Sequence, residues 1–197
     1  FDLSNTLIQS GVNSFGSVVM AAWAAYTKTD AVTWMISGAF GVAITTFVGQ
    51  NYGAHKFDRV RQSVRVCLGM SVCTVGVLSL TIVAFRSTIL GIYTADSQVI
   101  ETGSFIMSVI MPFAAVFMPV EIFAGTMRGM GDSVKPTVVI CLSVCVVRVL
   151  WLATVVRWHH ALVLLCVCYP MTWTLAAVIF LYIYFHNFRK RLVEEAQ

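Results

Sequence analysis

Apolar residues in this chain come in long unbroken runs, without the wet face that a helix or strand of a water-soluble domain would keep. Residues 31–48, 66–85 and 161–185 carry no charged side chain. A fourth run, 102–120, is extended past Glu121 to residue 127, and a fifth, 136–156, is interrupted by Arg148. At about 1.5 Å per residue, runs of about 20 residues cross the roughly 30 Å of bilayer hydrocarbon. A segment in hydrocarbon must satisfy its own backbone N–H and C=O groups, so each run is predicted to be a helix. The pattern predicts an all-α fold, a polytopic transmembrane helical bundle.

The opening stretch reads differently. Asp2, Asn5, Gln9 and Asn13 recur three or four residues apart among Leu, Ile and Val, which places them on one helical face. A polar stripe faces lipid at high cost, so this face is expected to point at other helices or at a water-filled cavity. Gly11, Asn13 and Gly16 are expected to end that helix. The next is predicted to start near Val18 and to run through Tyr26, Lys28 and Asp30, whose polarity places its first turns outside the hydrocarbon.

Composition agrees with the runs. Of 197 residues, 58% are hydrophobic and 11% charged, and the mean hydropathy is +0.83. The length accommodates roughly five or six crossings of about 20 residues, with no soluble domain between them. The formal charge of +4 does not point to nucleic acid, because the bases form short clusters between apolar runs. Lys56, Arg59, Arg61, Arg65, Arg128, Lys135, Arg189, Lys190 and Arg191 fall on one side under alternation, and Lys28, Arg86 and Arg157 on the other. The richer side, with the C-terminus, is expected in the cytoplasm. Trp23, Tyr26, Tyr93 and Trp158 are expected at the water boundaries. The chain opens on Phe1 with no basic stretch before an apolar one, so no cleavable signal peptide is expected.

The six cysteines all lie within apolar runs and form no C-x-x-C pair, so they read as small packing residues. His159 and His160 are adjacent and lack a third ligand in the sequence nearby, which argues against a metal site. No nucleophile, base and orienting acid cluster in a polar loop, so an enzyme is not expected.

Two loops carry a more specific signal. Val48-Gly49-Gln50-Asn51-Tyr52-Gly53-Ala54, followed by a basic stretch, closes one apolar run. Gly125-Thr126-Met127-Arg128-Gly129-Met130-Gly131-Asp132 and then Pro136 close another on the same side. Gly49, Gly53, Gly129 and Gly131 are expected where the backbone turns tightly, with Gln50 and Asn51 capping loose backbone groups. These loops resemble the paired signatures of multidrug and toxic compound extrusion (MATE) transporters. The opening 5–16 stretch, Arg148-Val149-Leu150-Trp151 and Tyr169-Pro170-Met171-Thr172-Trp173 look like bacterial members. The resemblance implies that residues 1–197 are the C-terminal lobe of about six helices, with the first truncated and a cytoplasmic tail from about 187. An N-terminal lobe in the same polypeptide is then the implied partner.

The ionisable residues inside the runs are the candidate machinery. Glu121 lies two helical turns from Arg128, inside the span, and Arg148 on the next helix is its expected partner. Two roles are open for Glu121: a permanent ion pair with Arg148 that fixes helix register, or a carboxylate that exchanges a proton or cation. Asp2, Asn5, Gln9 and Asn13 complete the candidate set. By resemblance, Asp2 and Glu121 fall on the two helices where sodium-coupled relatives place acidic ligands. Met107, Met111, Phe113, Phe117 and Met118 are spaced for packing, and Pro112 and Pro119 should bend their helix. The resemblance implies efflux of organic, often cationic, compounds across the plasma membrane, coupled to H+ or Na+ with no other cofactor. A flippase for a lipid-linked sugar or lipid, or a non-transport membrane subunit, is the alternative.

Overall fold

The computed structural model describes residues 2–156, 158 and 161–188, and no strand occurs among them. Helix α1 (Asp2–Asn13) turns at Gly16, which has φ +94°, into α2 (Ser17–Gly53), a single helix of 37 residues. After a short turn come α3 (Phe57–Ala84), α4 (Arg86–Tyr93) and α5 (Ser97–Ile110). One 3-10 turn, Met111–Phe113, joins α5 to α6 (Ala114–Gly129). Then α7 (Val134–Ile140) and α8 (Val147–Trp151) form one span with π-helical turns at Cys141–Val146 and Leu152–Val156. Helix α9 (Leu162–Ile183) ends in a π turn at Tyr184–Phe188.

Among the described residues, five helical spans are long and apolar enough to cross a membrane: Ser17–Gly53, Phe57–Ala84, Ser97–Gly129, Val134–Val156 and Leu162–His186. Together with α1 they make a helical bundle that is apolar on the outside too. Met35, Val42, Val77 and Val138 are all exposed, as a lipid solvent permits and water would not.

The second helix departs from expectation in one respect. As the pattern predicts, α2 runs through Lys28 and Asp30 without a break; the difference is that Asp30, expected near a water boundary, is only 7% exposed. Interrupting a helix in hydrocarbon would strand several backbone groups. Instead the polar groups are satisfied on the helix itself, as described below. At about 55 Å, α2 exceeds the hydrocarbon thickness, so it tilts or carries its ends into the headgroup layers. Trp23 and Tyr26, expected at the interface, are buried in the bundle, whereas Trp158 is 84% exposed and Tyr93 is exposed with the Lys28 ammonium 5.8 Å from its ring centre.

The bundle is built around the crossing of α2 and α6. A methyl group added at Gly129 would stand 2.6 Å from the Thr45 carbonyl oxygen and 3.0 Å from the Val48 Cβ. One added at Gly125 would meet Ile44 at 2.7 Å and the Gly41 carbonyl at 3.0 Å. Gly125 and Gly129 are four residues apart, so they clear one strip of α6 and let the two backbones touch, the small-residue packing that membrane helices favour.

This revises the role expected for the loop glycines. Gly49, Gly53 and Gly129 are helical, with Gly53 and Gly129 each the last residue of a helix, and a methyl at Gly49 would stand 3.3 Å from the Gly129 carbonyl. The motif glycine with positive φ is Gly131, at +88°. At the first loop the left-handed position is taken by His55, at φ 55°. Gln50 is exposed, while the Asn51 amide donates to the Phe47 carbonyl at 2.8 Å, one turn back in its own helix. Asp132 accepts from the Lys135 backbone N–H at 3.2 Å and pairs with its ammonium at 2.7 Å, which starts α7. The Gly49–Gly129 approach places both motif loops side by side at one end of the bundle.

Replacing Gly129 by Ala should lower unfolding stability in detergent by about 1–3 kcal/mol, the usual cost of overpacking a closed contact. Gly53→Ala, where nothing lies within 4 Å of the added carbon, should change it by no more than about 0.5 kcal/mol in the unfavourable direction. Denaturation of both variants measured side by side checks the contrast.

Candidate functional site

Beside the α2–α6 crossing lies a cavity of about 750 Å3, lined by residues of α1, α2, α6, α7, α8 and α9. Among the described residues, two acids and two arginines reach it: Asp30, Glu121, Arg128 and Arg148. That volume is within the range of small-molecule sites.

Asp30 is held from both directions along α2. The Tyr26 hydroxyl, four residues before, donates to its Oδ2 at 3.2 Å, and the Trp34 indole N–H, four residues after, donates to the same atom at 2.8 Å. Spacing of four stacks the three side chains on one helical face. A buried acid needs such donors to be tolerated in a low dielectric.

Around the acid runs an aromatic wall drawn from three helices. Trp34 packs edge-on to Phe117 at 5.0 Å between centroids, Phe117 lies 5.9 Å from Trp173, and Trp173 lies 5.7 Å from Tyr169. Tyr169 continues to Trp23 at 6.0 Å, and Trp23 to Tyr26 at 5.3 Å. Met107, Met111 and Met118 are buried packing residues, Phe113 is exposed, and Phe117 both packs and lines the cavity.

Arg148 is 2% exposed, between the two π turns of its span. Its guanidinium lies 4.2 Å from the Tyr169 ring centre and its Nη2 donates to the Thr172 hydroxyl at 3.3 Å. The Trp151 indole donates to the Leu164 carbonyl at 2.9 Å. The two segments singled out in sequence, 148–151 and 169–173, therefore belong to neighbouring helices that meet at Arg148.

The expected ion pair between Glu121 and Arg148 is not the one formed. Glu121 pairs with Arg128, seven residues along the same helix, at 3.2 Å. Two turns separate them, and the long arginine side chain spans that distance back along α6. The Glu121 carboxylate lies over Gly41, where any Cβ would collide with it. A side chain at position 41 would push the Glu121 carboxylate from this place.

Of the opening polar stripe, Gln9 lines the cavity and donates to the Asn13 side chain at 3.1 Å, and Asn13 is exposed. The side chains of Asp2 and Asn5, together with Arg157, His159, His160, Arg189, Lys190 and Arg191, lie outside the described residues. Among the described residues no group of three His, Cys, Asp or Glu side chains could hold a metal ion. Sequence reasoning missed Asp30 as a cavity residue. The signal was the donor, acceptor, donor series of Tyr26, Asp30 and Trp34 at a spacing of four.

A model of the MatE family matches residues 2–154. The chain belongs to the MatE family. Among curated relatives, "Probable multidrug resistance protein YoeA" of Bacillus subtilis is 27% identical over 147 residues, which cover 75% of this chain and 32% of that protein. "Multidrug and toxin extrusion protein 2" of Mus musculus is 30% identical over 115 residues, 57% of this chain and 20% of that protein. In fold, this MatE chain is similar to a mutant of the Vibrio cholerae MATE transporter VcmN, with a TM-score of 0.86 at 15% identity, over 96% of this chain and 43% of that one. A transporter of the MOP superfamily from Pyrococcus furiosus gives a TM-score of 0.80 at 14% identity, over 99% and 46%. The MatE chain thus spans about a third of the length of its first curated relatives and under half of the solved ones, the extent of one lobe.

The revised pairing has a thermodynamic signature. In a double-mutant cycle, Glu121→Gln and Arg128→Gln should couple by roughly 0.5–1 kcal/mol in unfolding stability, as a partly exposed pair does. The cycle of Glu121→Gln with Arg148→Gln should give a smaller coupling. The opposite order would restore the pair expected from sequence.

Proposed function

We propose that this lobe is one wall of an exporter that moves organic, often cationic, compounds out of the cell against an inward flow of protons or sodium ions. The observation that carries the reading is Asp30, a buried carboxylate that lines a cavity together with Trp23, Tyr26, Trp34, Phe117 and Tyr169. A carboxylate in low dielectric requires a positive partner or a proton. Aromatic faces add attraction for a delocalised cation while leaving it desolvated. An organic cation and a coupling ion then compete for the same negative charge, so each displaces the other. Placed between two lobes that rock alternately, that competition gives antiport.

The N-terminal lobe of the same transporter is the partner in this reading, and the plasma membrane is the location. The basic loops around Lys56 to Arg65 and Arg128 to Lys135 support a cytoplasmic C-terminus under the positive-inside rule. The names of the multidrug-resistance relatives support the substrate class. A flippase for a lipid-linked anion would call for an excess of base in the cavity. Here two arginines are matched by two acids, and Arg128 is paired with Glu121.

The test is efflux of a fluorescent organic cation from vesicles containing the full-length protein, with an imposed proton or sodium gradient. Asp30→Asn should reduce gradient-driven efflux by about tenfold or more, the scale expected when a buried charge partner is lost. Glu121→Gln should reduce it less, because its charge is already committed to Arg128. Normal gradient-driven efflux by Asp30→Asn would end the competition model.

A further inference from the structure

On the lobe's surface, residues of α2 and α3 line a second cavity of about 520 Å3 that contains neither Asp30 nor Glu121. From α2 it takes Phe40, Ala43 and Phe47, at spacings of three and four that form one helical face. From α3 it takes Arg59, Val66 and Met70. The polar groups are confined to one end, where Gln62 and Ser63 follow Arg59, and everything beyond them is apolar.

The length of this groove is informative. From Arg59 to Met70 along α3 is about 16 Å, close to the half-thickness of about 15 Å that one leaflet's hydrocarbon occupies. Arg59 stands in the first turn of α3, next to the Lys56 turn, so the charged end lies at the interfacial level and the apolar body runs inward. Phe47, Val66 and Met70 remain well exposed, and Arg59 is exposed with no ion pair among the described residues. The neighbouring Asp58 is engaged by Arg61 at 3.0 Å.

We propose that this groove binds one acyl chain of an anionic phospholipid, with Arg59 on the lipid phosphate and Gln62 beside it. The basic end excludes a plain hydrocarbon occupant as the best fit, and the apolar body excludes a water-soluble anion. A zwitterionic lipid fills the same body but gains less at the basic end, because its own cation opposes the arginine. A lipid held there would sit on the outer face of α2, the helix that carries Asp30 and crosses α6.

Native mass spectrometry of the purified full-length protein, titrated with phosphatidylglycerol or phosphatidylcholine, tests this. One phosphatidylglycerol should bind preferentially. Arg59→Ala should weaken that binding about fivefold and remove the preference, the effect of one base at a membrane surface, and Arg59→Lys should keep most of it. Cys67 lines the groove and is half-buried. Its alkylation, read by peptide mass, should be slowed by phosphatidylglycerol and not by inorganic phosphate. Equal binding of the two lipids, or an unchanged preference in Arg59→Ala, overturns the proposal. Measurable alkylation of Cys67 at the same rate with and without phosphatidylglycerol also overturns it.

Discussion

The contact on which this lobe depends is the close approach of α2 and α6, where Gly125 and Gly129 let the Gly41 and Thr45 carbonyls and the Ile44 and Val48 side chains lie directly against the α6 backbone. In hydrocarbon the gain from excluding water is absent between helices, and close van der Waals packing takes its place. Glycine at four-residue spacing is how a sequence obtains that packing. The same strip sets the rest of the lobe in register. It brings Phe117 against Trp34, lays Glu121 over Gly41, and sets the two motif loops side by side through Gly49 and Gly129.

A second constraint follows from the solvent. Charges in a bilayer must be satisfied locally, and here each one is answered largely by its own helix or its neighbour. Tyr26 and Trp34 hold Asp30 from one turn away on either side. Arg128 answers Glu121 along α6, and Tyr169 and Thr172 on α9 receive Arg148. The result is a cavity whose polar groups are fixed before any ligand arrives. The π turns on both sides of Arg148 and the 3-10 turn at Pro112 interrupt the regular ladder on helices that border it.

Much of the architecture was legible in the sequence, because uncharged runs of bilayer length allow few alternatives to helices. The 136–156 and 161–185 runs and the turn at Gly131 stand where the pattern put them, and of the two prolines expected to bend their helix Pro112 lies in a 3-10 turn while α6 continues through Pro119. What the pattern concealed was partnership. Period and hydropathy assign Asp30 to a polar stretch, and only the pair of donors at a spacing of four reveals a buried acid. Likewise the sequence offers Glu121 two arginines. Which of them it takes depends on side-chain reach along α6 rather than on which helix is adjacent. Gly49 and Gly129 mark turns in sequence, whereas in three dimensions they mark the place where helices touch.

The central claim is that backbone contact, and it is open to direct measurement. With the six native cysteines replaced, Ser37→Cys and Met118→Cys would set two thiols facing each other across α2 and α6, where the Ser37 hydroxyl lies 3.4 Å from the Met118 sulfur, and leave the glycine strip untouched. Mild oxidation of membranes containing the full-length protein, followed by maleimide labelling under denaturation, should find both thiols lost together. The control pair of Val42→Cys, which faces outward at 69% exposure, with Met118→Cys should stay fully labelled. Retention of both thiols in the test pair, or equal loss in the control, would contradict the crossing and the cavity built on it.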